Sequence, residues 1–110
     1  MKAGTLDEMT DYAVEVLATG ESTKIGALVR EMASNWPNEP ALSVSFAICS
    51  AAANLTDLMK NQQAVAGTAY KLAALVAADT LAIEQTLESS AKTQHLLQYW
   101  RRVDPYFLEL

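Results

Sequence analysis

Few residues in this chain combine a reactive type with a setting in which reactivity would matter. Asp79 comes first. It lies in the stretch from Ala64 to Ile83, where fifteen of twenty residues are apolar, one helical turn from Leu75, Val76 and Ile83. A carboxylate in such surroundings needs a partner or a shifted pKa. Lys71 is eight residues earlier, about 12 Å along a helix, too far for a direct pair. Asp79 and Tyr70 therefore define one candidate ligand site, in a pocket between the two central helices. The plainer expectation is that Asp79 reaches the rim or bonds a hydroxyl such as that of Thr80 of a neighbour.

His95 is the only histidine. One helical histidine in a small acidic helical chain is loosely similar to histidine phosphotransfer domains, and that similarity implies phosphoryl transfer through His95. The pattern departs from theirs in His95-Leu96-Leu97-Gln98-Tyr99, which lacks the usual following lysine and glycine, and in the late position of His95. A solvated histidine is the default reading. Cys49 lies in an apolar helical stretch and reads as a small core residue.

Metal chemistry has little to build on. There is no HExxH and no cysteine pair. Glu84 and Glu88 are followed at +3 by Leu87 and Ala91, so the paired ExxH pattern of di-iron bundles is missing. The four glycines form no phosphate loop. The expectation is no metal, no cofactor and no catalytic residue, hence a chain that leans away from enzymatic function.

Charge narrows the partners. The net charge is −5, and in the first 21 residues Asp7, Glu8, Asp11, Glu15 and Glu21 face only Lys2. Arg101-Arg102 is the one basic pair, too little for phosphate neutralisation, so nucleic acid is not expected as a partner. Anionic membrane surfaces are disfavoured for the same reason. A membrane span over 64–83 would bury Lys71 and Asp79 near the bilayer centre, and a buried helix explains the same apolarity. The lone cysteine suits a reducing, cytoplasmic compartment. No secretory signal core follows Met1-Lys2-Ala3-Gly4-Thr5.

These residues must be positioned by helices, since strand alternation is nowhere sustained. The expectation is one domain over 1–110, with a short flexible N-terminus (1–4) and a C-terminal tail (105–110). The fold class is all-α, a four- or five-helix bundle built on a central alanine-rich antiparallel hairpin.

A first helix from Leu6 to about Ala18 starts at a Thr5/Glu8 capping box and stops at Gly20. A second starts after Ser22 or Thr23 and must end by Asn35, because of Pro37. Trp36 to Pro40 is a stiff connector from which Trp36 can cap the core. The third, from Ala41 to Met59 or Lys60, is apolar almost all round, with Leu42, Phe46, Cys49 and Ala53 on one side and Val44, Ile48, Ala52, Leu55 and Met59 on another. That marks a central helix. A turn is placed at 60–63.

The fourth helix runs from about Gln62 to Glu88, with Leu72, Leu75, Val76, Ile83 and Leu87 as its stripe. Extended over 61–90 it would be about 45 Å long and would overhang a spherical domain roughly 34 Å across. The bundle is then elongated, or a second subunit covers the excess, or the helix breaks earlier. A break is marked at Ser89-Ser90-Ala91-Lys92-Thr93. A fifth helix covers Gln94 to Val103, with Leu96, Leu97, Trp100 and Val103 inward.

Small residues recur every four positions at Ser43/Ala47/Ala51, Ala69/Ala73/Ala77 and Ala74/Ala78/Ala82. Such low ridges let helices approach toward the short end of the usual ~8–10 Å separation. The partner is the chain's own third helix or the same helix of a second copy. Trp100, Tyr106 and Phe107, with Tyr99 and the arginine pair, have the composition of an interface. Ala69, Ala73, Ala77, Trp100, Tyr106 and Phe107 are thus the candidate interaction surface. The reading is a protein-interaction module that associates as a homodimer or with another protein.

Overall fold

A computed structural model of the chain describes residues 3–58 and 63–110. Among these residues six helices follow in order: α1 (Ala3–Ala18), α2 (Ser22–Asn35), α3 (Ala41–Leu58), α4 (Gln63–Leu87), α5 (Thr93–Arg102) and α6 (Tyr106–Glu109). The fold is an all-α bundle. Its centre is the antiparallel α3–α4 hairpin, the most extensive helix pair. α1 packs on α3, α2 packs on α1 and α5, and α5 lies against both members of the hairpin.

The helices end where backbone chemistry dictates. Gly20 adopts φ 67, and its N–H and that of Thr19 bond back to Leu17 and Val16, closing α1 with the left-handed residue a glycine accommodates most readily. Glu88 does the same for α4 at φ 58, a non-glycine in a conformation that ordinarily disfavours a Cβ. Its N–H still reaches the Glu84 carbonyl at 2.9 Å.

Beyond α4 the chain lies along the α2–α3 connector. Pro40 and Lys92 form an antiparallel bridge. Ala41 N–H bonds Ala91 O at 2.8 Å, Thr93 N–H bonds Glu39 O at 2.9 Å, and Gln94 N–H bonds Pro37 O at 2.9 Å. The Thr93 hydroxyl donates to the Trp36 carbonyl. Glu84 accepts the Ala91 N–H at 2.9 Å. These bonds satisfy loop amides that water would otherwise have to reach.

The alanine ridges of the hairpin are explained by one contact. Ser45 Oγ donates to the Ala73 carbonyl of the facing helix at 2.9 Å, a reach across the seam that large side chains would block. Ala47, Ala51, Ala69 and Ala73 are all buried. Val44, Ile48, Leu55, Leu72, Val76 and Ile83 fill the rest of the hairpin's inner side, against Met9, Leu17, Leu28 and Met32 of the covering helices.

Several expectations are corrected. α1 begins at Ala3, so Thr5 lies inside the helix and is not its cap, and positions 3 and 4 of the expected flexible end are helical. The turn placed at 60–63 falls mostly on residues outside the described ones; Gln63 already belongs to α4. α4 spans Gln63–Leu87, close to the expected 62–88, and the longer extension to residue 90 is not made. At about 37 Å it fits the long axis of an elongated domain measuring 41 × 30 × 20 Å, so nothing overhangs. α3 is not covered all round: Leu42, Phe46 and Ala53 face outward. Leu75, Leu87 and Val103 are also exposed. The tail expected at 105–110 carries a one-turn helix, α6. It is docked through Phe107, whose ring centroid is 5.0 Å from that of Trp100, and through Arg30, which donates to the Leu110 carbonyl at 3.1 Å.

Candidate functional site

Asp79 has a partner, and it is neither Lys71 nor a hydroxyl. The half-buried carboxylate reaches from α4 to α5, where Oδ2 accepts the indole Nε1–H of fully buried Trp100 at 2.9 Å. Burial pushes the carboxyl above its ordinary range; the Trp100 hydrogen bond opposes the rise, and the Asp104 carboxylate adds to it. The neighbouring Thr80 hydroxyl is satisfied within its own helix by the Val76 carbonyl at 2.8 Å. Tyr70 is nine residues away, about 13.5 Å along α4, and exposed on another face. The structure does not bring Asp79 and Tyr70 together.

Four of the six expected interaction residues are occupied within the chain. Ala69 and Ala73 are buried under α3, and Trp100 and Phe107 are buried against each other. Ala77 is half-buried, and Tyr106 is exposed while stacking edge-on with Phe107 at 5.2 Å. The second small ridge is different: Ala74 and Ala78 are exposed and Ala82 is half-buried.

A face whose α3 half was expected in the interior emerges in their place. Ser45 and Ala73 mark the seam between α3 and α4. One step round α3 from that seam come Leu42, Phe46, Cys49 and Ala53. One step round α4 come Tyr70, Ala74, Ala77 and Leu81. At about 100° per residue in two antiparallel right-handed helices, both sets turn to the same side, away from the covering helices. Phe46 is 56% exposed, Leu81 61%, Leu42 49% and Tyr70 44%. A shallow depression of about 190 Å³, lined by Leu6, Pro40, Leu42, Ser43 and Phe46, continues this face toward α1. The missed signal was the apolar ring around α3: in so small a domain, α1, α4 and α5 cannot cover every side of it.

His95 is half-buried at the start of α5, and its Nδ1 accepts the Lys92 N–H at 2.9 Å. The ring thus closes the helix N-terminus, and in its neutral form the proton resides on Nε2. A groove of about 410 Å³ runs beside it between α4 and α5. A second, of about 340 Å³, lies where α2, α4 and α6 meet, near Ile25, Val65, Leu72 and Leu110. Among the described residues no three of His, Cys, Asp and Glu converge as a metal-ligand group. By length and composition α4 is apolar enough to cross a membrane, and 39% of its most apolar 18-residue window is buried inside the protein.

No family model, curated protein or solved structure matches the chain.

Proposed function

We propose that this protein is a non-enzymatic interaction module that pairs with a second copy of itself through the outer face of the α3–α4 hairpin. The observation that carries the reading is the exposure of Leu42, Phe46, Tyr70 and Leu81 on one side of that hairpin. Single exposed apolar residues are ordinary, but a contiguous set on a helix pair marks an interaction site.

Charge permits a second copy as the occupant. Each chain carries −5, so two copies repel except where their surfaces are neutral. α1 presents Asp7, Asp11 and Glu15 to solvent. Between residues 42 and 53 α3 has no charge at all, and between 67 and 81 α4 has only Lys71 and Asp79, the latter turned toward Trp100. Depletion of charge with retention of aromatic and aliphatic side chains is the composition of an interface centre. The exposed Ala74 and Ala78 let the paired helices approach closely while Leu81 and Phe46 project between them. A cytoplasmic setting, suggested by the single half-buried Cys49, belongs to the same proposal.

The test is the mass in solution of the wild-type chain and of the F46E/L81E double variant. Both substituted side chains are largely exposed, so the variant keeps its helicity, while paired glutamates on a neutral face abolish association.

A further inference from the structure

We propose that the groove between α4 and α5 binds a small carboxylate-bearing amphiphile, such as an aliphatic chain ending in one carboxylate. Its two walls differ in chemistry. α4 supplies a largely apolar wall through Ala82, Ile83 and Leu87, with Thr86 as its one polar member. α5 supplies a polar one through His95, Tyr99 and Arg102, which recur at i, i+4 and i+7 and so form one stripe along the helix. A ligand that fits must be apolar along one side and polar at one end.

The sign of the polar end follows from the donors. Arg102 forms no ion pair among the described residues. His95 has committed Nδ1 to the Lys92 amide, which leaves Nε2–H as its free group, a donor. No Asp or Glu lines the groove, although the chain as a whole is acidic. A planar guanidinium with parallel N–H groups matches a carboxylate better than any neutral head. The volume of about 410 Å³ lies within the range of small-molecule sites. The groove opens on the α5 side of α4, whereas Phe46 and Tyr70 lie toward its other flank, so this site is independent of the proposed dimer face.

Because His95 is the only histidine, its imidazole signals report on the groove alone. Decanoate, below its micellar concentration and at fixed pH, is titrated into the F46E/L81E chain while the His95 ring resonances are followed by NMR. The expected result is a saturable shift with one decanoate per chain. R102Q should weaken binding on the order of 10- to 100-fold, the range for losing a hydrogen bond to a charged group. L87W, which fills the apolar wall, should abolish it, and decan-1-ol should bind as weakly as decanoate binds R102Q. The proposal is overturned if no saturable shift occurs, or if R102Q and decan-1-ol match the parent chain with decanoate. The F46E/L81E background removes the outer apolar face, so either result stands whether or not the wild-type chain dimerises.

Discussion

The indole of Trp100 donates to the carboxylate of Asp79 at 2.9 Å across the seam between α4 and α5. This bond ties the one acid in the apolar half of α4 to the largest fully buried side chain of the protein. Removing the acceptor strands a buried N–H. D79A should therefore lose about 1–3 kcal/mol of stability in urea denaturation, and D79N, which keeps a carbonyl acceptor, should lose less. Equal stability of wild type and D79A would show that the bond contributes nothing.

The same carboxyl sets a pH dependence of unusual sign. Its folded-state pKa is raised above 3.8, burial being the largest cause, so the native state favours the protonated form. Its contribution to stability is fully present below the unfolded value and is lost as pH rises through the folded one. On acidification from neutral pH, wild type should gain stability relative to D79N. Denaturation midpoints of the two chains at several pH values check this, and a gap that moves the other way contradicts it.

Tyr12 offers a second titration. Its hydroxyl donates to the Glu31 carboxylate, and that bond, with burial and the nearby negative charge, pushes the phenol from 10.0 up to about 12. Stability from this pair is present below the ordinary phenol value and lost as pH rises through the raised one. Ultraviolet titration of the four tyrosines should show one lagging group, and E31Q should return it toward its ordinary range.

The two alanine ridges of α4 make opposite predictions. A73L forces a large side chain into the seam where Ser45 meets the Ala73 carbonyl and should destabilise by about 1–3 kcal/mol. A74L, one residue on but exposed, should change the stability of the monomeric F46E/L81E background by no more than about 0.5 kcal/mol.

Much of the bundle was legible because its signals are local. Gly20, Pro37 and the 89–93 break end or separate helices through backbone chemistry that neighbouring residues determine. The hairpin was readable because alanines at every fourth position let helices approach closely. What escaped depended on which helix covers which face. Apolar periodicity marks faces able to be buried, and α3 has more such faces than the chain has helices to cover them. Hence Leu42 and Phe46, expected inside, are outside. Asp79 stood out as the odd acid of an apolar run, but its partner lies 21 positions away, and a contact so distant in sequence leaves no periodic trace. The groove stripe of His95, Tyr99 and Arg102 was not singled out in the sequence, because nothing there sets the apolar wall of α4 opposite it.

The central claim is that the outer face of the α3–α4 hairpin pairs two copies of this chain, and sedimentation equilibrium tests it most directly. At high micromolar concentration the wild-type protein should approach twice its chain mass of 11.9 kDa, while F46E/L81E, with unchanged helical circular dichroism, should remain at the single-chain mass. A wild-type protein that stays at the single-chain mass across that range contradicts the claim, as does a dimer that persists unweakened in F46E/L81E.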